Sequence, residues 1–198
     1  MNQPTSKDVV ALRQKTGLGM MDCKRALEAV DGDFEKAIEY LRKKGISKGE
    51  SRTGRPTGQG LIETYIHPGG RLGVMIEVLC ETDFVARSED FTTLVHDLAM
   101  QIAAAAPIVV RREDISEEKI QKEMEIYREQ IQKENKPPEI VERIAAGKLE
   151  KFYEETCLLE QGFIKDPKVK MNDIILGVAG KLKENIIVRR FERYALGD

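Results

Sequence analysis

Residues 61–87 read LIETYIHPGGRLGVMIEVLCETDFVAR, and the fold turns on this stretch. Ile62, Thr64 and Ile66 alternate before Pro68-Gly69-Gly70, and Leu72, Val74, Ile76 and Val78 alternate after it. Two period-two runs joined by a Pro-Gly-Gly turn predict an antiparallel hairpin. The second strand runs directly into Glu81-Thr82-Asp83-Phe84-Val85. From about Ser88 to Ala106 the period changes, and Phe91, Leu94, Val95, Leu98, Ile102 and Ala103 form the buried stripe of a long helix.

Upstream, the first 45 residues read as a compact module of three short helices. Thr5 followed by Asp8 marks a helix start, Val9, Val10 and Leu12 supply its apolar face, and Gly17 ends it. After the tight turn Gly17-Leu18-Gly19, a second helix spans about Met21 to Val30, with Cys23, Ala26, Leu27 and Val30 at helical spacing. A third carries Phe34, Ala37, Ile38 and Leu41, and Gly45 is its expected C-cap. Residues 46–60 combine glycines with Ser, Thr and Pro56 and carry Lys48, Arg52 and Arg55. They read as a linker that is mobile, or ordered only on a partner.

Downstream, Ser116 caps a run to about Asn135 whose apolar residues, Ile120, Met124, Tyr127 and Ile131, form a narrow seam among Glu, Lys and Gln. Pro137-Pro138 breaks it, and a second helix carries Ile140, Val141, Ile144, Leu149, Phe152 and Tyr153. The pair predicts an antiparallel helical hairpin over about 116–158. A last helix, Met171 to Leu182, leads to a strand from Asn185 to Tyr194 that returns to the hairpin sheet. The reading is an α+β protein: the three-helix module 1–45, the linker 46–60, and an α+β core over 61–198 with a small antiparallel sheet and a helical hairpin.

Composition narrows the function. In 198 residues, Lys and Arg total 32 against 34 Asp and Glu, a net charge of −2. A nucleic-acid binder shows a basic excess, so this balance argues against direct nucleic-acid contact. No apolar run approaches the roughly 18 residues of a membrane span, and residues 1–4 show no signal region, so the expectation is a cytoplasmic protein. Cys23, Cys80 and Cys157 lie far apart, which supports neither a disulfide framework nor a zinc site, and they read as buried or half-buried free thiols. There is no phosphate-loop signature, since Gly177-Val-Ala-Gly-Lys181 is too short and is followed by Leu182. His67 in the hairpin turn and His96 on the long helix suggest no triad or metal site, so neither a catalytic site nor a cofactor is expected.

Two segments stand out. In Thr16-Gly-Leu-Gly-Met-Met-Asp-Cys-Lys24, Met20 and Met21 cannot both face the core of so small a module, and an exposed methionine suits a soft contact surface. In Thr82-Asp83-Phe84-Val85, the residues alone favour Thr82 or Asp83 as a helix cap with Phe84 pointing inward. The alternative is an exposed aromatic–acid pair facing a partner.

Both segments resemble the elongation factor Ts family. Leu12-Arg-Gln-Lys-Thr-Gly-Leu-Gly-Met-Met-Asp-Cys-Lys-Arg-Ala-Leu27 is similar to its opening signature, Glu81-Thr-Asp-Phe-Val-Ala-Arg87 to its second, and Glu184-Asn-Ile-Ile-Val-Arg-Arg-Phe191 to its final strand. The resemblance implies a guanine-nucleotide exchange factor for elongation factor Tu, whose N-terminal module is similar to ubiquitin-associated domains and docks on the GTPase. It implies that Thr82, Asp83, Phe84 and Val85 insert beside the partner's nucleotide and disturb its Mg²⁺ site, which turns Phe84 outward against the reading from residues alone. It also makes Arg13, Met20, Met21 and Lys24 docking candidates. The chain is similar to short members with a single core module, which implies a homodimer through either the charged helical pair or the final sheet. A different class, a helical adaptor acting through residues 1–45 only, remains as the alternative, and a thiol enzyme built on Cys80 lacks a neighbouring histidine in sequence.

Overall fold

A computed structural model describes residues 4–132 and 137–197. The hairpin forms from β1 (Gln59–Ile66) and β2 (Leu72–Cys80), and β5 (Ile187–Ala195) adds to the other edge of β2, giving the antiparallel order β1-β2-β5. The expected α+β class and the return of the last strand are both observed.

Directly opposed residues of an antiparallel pair share a face, so the register decides which side is buried. Leu61 opposes Val78 and Tyr65 opposes Val74, and these residues meet the core. Ile62 opposes Glu77, Thr64 opposes Met75 and Ile66 opposes Gly73, and this set faces outward, with Ile62, Ile66 and Met75 exposed. The alternation of Ile62, Thr64 and Ile66 therefore marks the outer face of the sheet. β1 carries apolar residues on both sides, and period alone cannot rank them.

On the inner face lies α5 (Glu89–Ala105), capped by Ser88, whose hydroxyl accepts from the Phe91 amide. Phe91, Leu94, Val95, Leu98 and Ile102 are all buried there against β1 and β2. α8 (Met171–Leu182) completes this core through Met171, Ile175 and Ala179. A two-stranded unit of β3 (Gly162–Phe163) and β4 (Asp166–Lys170), absent from the sequence reading, precedes α8.

At the N-terminus, α1 (Ser6–Thr16), α2 (Met20–Ala29) and α3 (Phe34–Glu50) enclose a separate small core of Val9, Leu12, Cys23, Ala26, Leu27, Ala37 and Leu41. Thr5 and Asp8 form a reciprocal capping box, and Gly17 closes α1 in the left-handed region at φ 66°. One expectation fails here. Gly45 is not a C-cap: α3 runs on to Glu50, well into the expected linker.

The reason is a close helix crossing. A Cβ at Gly49 would lie 2.1 Å from the Leu176 carbonyl oxygen, and a Cβ at Gly180 would lie 2.1 Å from that of Gly45. The glycines let α3 and α8 approach backbone to backbone. They are paired with residues about 130 positions away, which no local pattern reveals.

The charged hairpin consists of α6 (Glu117–Gln132) and α7 (Pro138–Thr156). Its seam buries Ile131, Val141 and Ala145 beside Met124, Tyr127 and Ile144, and Arg128 forks onto Glu142 at 2.8 and 2.9 Å. The expected run of α6 to Asn135 ends outside the described residues.

Candidate partner-binding surface

β2 ends at Cys80 and α5 begins at Glu89. Between them Asp83–Ala86 forms a single helical turn, α4. Thr82 is its N-cap, with the side-chain hydroxyl accepting from the Val85 amide at 3.4 Å. Successive helical residues point about 100° apart. Ala86 is buried and Val85 packs on the core, which leaves Phe84, about 200° from Ala86, on the opposite side. The Phe84 ring is 84% exposed, the highest value among the exposed large hydrophobic side chains of the described residues. Asp83 is half-exposed and pairs with Arg87 at 3.2 Å. Of the two readings left open by the residues alone, capping by Thr82 is observed and the inward Phe84 is not.

An aromatic left in water at a strand–helix junction costs stability that burial would supply, roughly 2–3 kcal/mol for a full side chain. The fold does not need it there. It is an exposed apolar ring flanked by a carboxylate.

Sequence reading missed the scaffold beneath this turn. The Glu184 carboxylate, just past α8, accepts from the amides of Glu81 at 3.1 Å and Thr82 at 3.0 Å, and from the Thr82 hydroxyl at 2.6 Å. In return Glu81 Oε1 accepts from the Asn185 amide at 2.7 Å. These contacts cross more than a hundred residues, and the only sequence signal was that Glu184 and Asn185 open the third quoted segment.

The second candidate surface lies on the N-terminal module. Met20 and Met21 begin α2 and are 41% and 63% exposed, so both stand out of the module's core. Arg13 and Lys24 are exposed as well, with Lys24 3.7 Å from Glu28. The neighbouring turn touches the core: a Cβ at Gly17 would lie 2.8 Å from Lys181 Nζ, and that amine donates to Asp90 Oδ1 at 2.7 Å in the first turn of α5. Lys181 thus bridges the turn before Met20 and the helix that follows Phe84.

The two histidines flank Tyr65. His67 Nδ1 lies 3.1 Å from the Tyr65 hydroxyl, and His96 stacks edge-on with its ring centroid 5.9 Å away. Among the described residues no group of three or more His, Cys, Asp or Glu side chains is placed to hold a metal ion, and no helix is long and apolar enough to cross a membrane. All three cysteines are buried free thiols. Burial pushes the Cys80 thiol up to about 11, with the Glu184 charge adding to the effect, which is the reverse of an activated nucleophile.

The family model described as Elongation factor TS matches residues 35–198. The chain is 58% identical over 191 residues to the elongation factor Ts of Moorella thermoacetica, covering 96% of this chain and 94% of that protein. It is 53% identical over 194 residues to the elongation factor Ts of Carboxydothermus hydrogenoformans, covering 98% and 89%. The same identity over 193 residues relates it to the elongation factor Ts of Thermodesulfovibrio yellowstonii, covering 98% and 96%.

Proposed function

Because the chain belongs to the elongation factor Ts family, we propose that it is the guanine-nucleotide exchange factor of elongation factor Tu and performs no bond chemistry itself. The observation that carries this reading is the exposed Phe84 ring on a turn held at the end of β2.

In the proposed mechanism Phe84 enters between helices of the partner beside its nucleotide pocket. Burial of the ring there contributes roughly 2–3 kcal/mol to the opened, nucleotide-free state, equivalent to about a 30- to 150-fold shift in affinity. Linkage is reciprocal, so whatever factor weakens GDP on the partner also weakens this protein on the GDP-bound form. Asp83 exchanges its Arg87 partner for groups near the Mg²⁺ site and perturbs the hydrogen bonds that hold the metal and phosphates. Thr82 and Val85 position the pair, one as cap and one as core anchor. Met20 and Met21 form the soft centre of a docking patch edged by Arg13 and Lys24.

We place the protein in the cytoplasm, without direct nucleic-acid or membrane contact, and as a homodimer. Of the two interfaces left open, the outer face of the sheet is favoured. The apolar seam of α6 and α7 is consumed within the hairpin, whereas Ile62, Ile66, Met75 and Tyr194 stand exposed together on the sheet. An adaptor working through residues 1–45 alone fits less well, because α3 continues into a tight crossing with α8.

The test is release of labelled GDP from elongation factor Tu with and without this protein. A many-fold faster release is expected, and an unchanged rate overturns the proposal. Sedimentation of the free chain at twice the monomer mass is expected for the dimer.

A further inference from the structure

We propose that Glu184 is a positioning residue for exchange: its carboxylate aims Phe84 by holding the amides of Glu81 and Thr82 and the Thr82 hydroxyl at the head of the wedge turn. This rests on the wedge reading above and adds to it a residue far from the ring in sequence.

The geometry is specific. The amides of Glu81 and Thr82 lie after the last paired residue of β2 and before the first turn of α4, so neither ladder nor helix supplies them an acceptor. Glu184 Oε2 accepts from both, at 3.1 and 3.0 Å. Its Oε1 takes the Thr82 hydroxyl proton at 2.6 Å. A hydroxyl has one proton and two lone pairs. With the proton committed to Glu184, a lone pair is left for the Val85 amide at 3.4 Å, which is the N-cap contact of α4. The Thr82 carbonyl is engaged too, accepting from the Ala86 amide at 3.2 Å and from Cys80 Sγ at 3.1 Å.

Glu184 is itself held from behind. α8 ends at Leu182, and Lys183 turns the chain through the left-handed region at φ 63°. That conformation is strained for a residue with a Cβ, and here it delivers Glu184 to the junction. Asn185, 5% exposed, gives its amide to Glu81 Oε1 at 2.7 Å and its side-chain Nδ2 to the Arg55 carbonyl at 2.8 Å. Because α8 is locked on α3 by the glycine crossing, the clamp rests on a rigid element.

Phe84 does not belong to the core cluster that anchors Val85 and Ala86. Its direction is therefore set by the backbone of α4, which the core holds at Val85 and Ala86 and the cap holds at its N-terminal end. Releasing the cap lets the ring sample other directions, which lowers the fraction of encounters that open the partner while leaving docking through the N-terminal module intact.

The experiment measures GDP release from elongation factor Tu over a range of concentrations of the full chain, for wild type, Glu184→Gln, Phe84→Ala and the double variant. Glutamine keeps the shape of the side chain but has one oxygen where the carboxylate has two, so either the two amides or the Thr82 hydroxyl proton lose their acceptor. The expected result for Glu184→Gln is a maximal rate lower by about two- to thirty-fold, the range of a lost cap, with the half-saturating concentration within about twofold of wild type. In the Phe84→Ala background the same change adds no further loss, because there is no ring left to aim. Thr82→Val loses the rate as Glu184→Gln does. If Glu184→Gln does not fold, Thr82→Val is scored in its place. A wild-type maximal rate for Glu184→Gln beside an impaired Phe84→Ala overturns the positioning role and spares the wedge. An equal multiplicative loss in both backgrounds also overturns it. A wild-type rate for Phe84→Ala overturns the wedge, and the aiming role with it.

Discussion

Gly180→Ala tests the crossing that joins the N-terminal helices to the core. The added Cβ would lie 2.1 Å from the Gly45 carbonyl oxygen, 3.0 Å from its carbon and 3.2 Å from the Gly49 nitrogen. Non-bonded heavy atoms sit at about 3.5 Å, so α3 and α8 must part by roughly 1 Å or more. Overpacking of this kind costs about 1–3 kcal/mol, and alanine returns up to about 1 kcal/mol through helix propensity. The net loss is up to about 2 kcal/mol, which for a chain of this length lowers Tm by up to about 8 °C. Gly177→Ala is the control: it lies in the same helix, a Cβ there meets nothing within 4 Å, and only the propensity gain applies. It is expected to raise Tm by about 1–4 °C. Thermal unfolding followed by far-UV circular dichroism reads both. If Gly180→Ala melts at or above the temperature of Gly177→Ala, the close crossing is wrong.

Two further outcomes follow from the same geometry. The Arg112 guanidinium bonds Glu160 at 2.8 Å and Glu150 at 3.0 and 2.8 Å, and stacks over Tyr153 at 4.5 Å. Hydrogen bonding from Arg112, helped by Lys170, holds the Glu160 carboxyl below the usual carboxylate range. A depressed folded value contributes stability that is complete above the unfolded value of about 4.3 and is lost as pH falls through the folded one. Urea midpoints measured downward from pH 5 should therefore fall less steeply for Glu160→Gln than for wild type, and parallel slopes would count against this pair. The cysteines give the other outcome: with all three buried and the Cys80 thiol near 11, a soluble thiol reagent at pH 8 should label the native chain only as fast as it opens. Rapid labelling of any cysteine in native buffer would contradict the burial described.

Much of the architecture was legible because local signals agreed with one another. The Pro-Gly-Gly turn between alternating runs, the stripe from Phe91 to Ala103 and the capping pair Thr5 and Asp8 each report on neighbours within a few residues. What escaped depends on distant partners. Gly45 looks like a cap because glycine tolerates positive φ, yet it lies inside α3, where its carbonyl oxygen faces Gly180 of α8. Ile62, Thr64 and Ile66 alternate without saying which side of the sheet they occupy, and register with Glu77, Met75 and Gly73 puts them on the outer face. Phe84 is ambiguous by type and was turned outward only by family resemblance. In the fold, the single turn of α4 has room for one buried face, and Val85 and Ala86 occupy it. Glu184 could not be tied to Thr82 from sequence, since the contact spans 102 residues.

In the proposed mechanism an exposed phenylalanine, aimed from the end of β2, opens the nucleotide site of the partner GTPase. Stopped-flow release of labelled GDP from elongation factor Tu, driven by wild type and by Phe84→Ala at saturating concentration, tests it most directly. The stimulated rate for Phe84→Ala is expected to be lower by about tenfold or more, with Tm unchanged because the ring makes no core contact. A wild-type rate from a folded Phe84→Ala would contradict it.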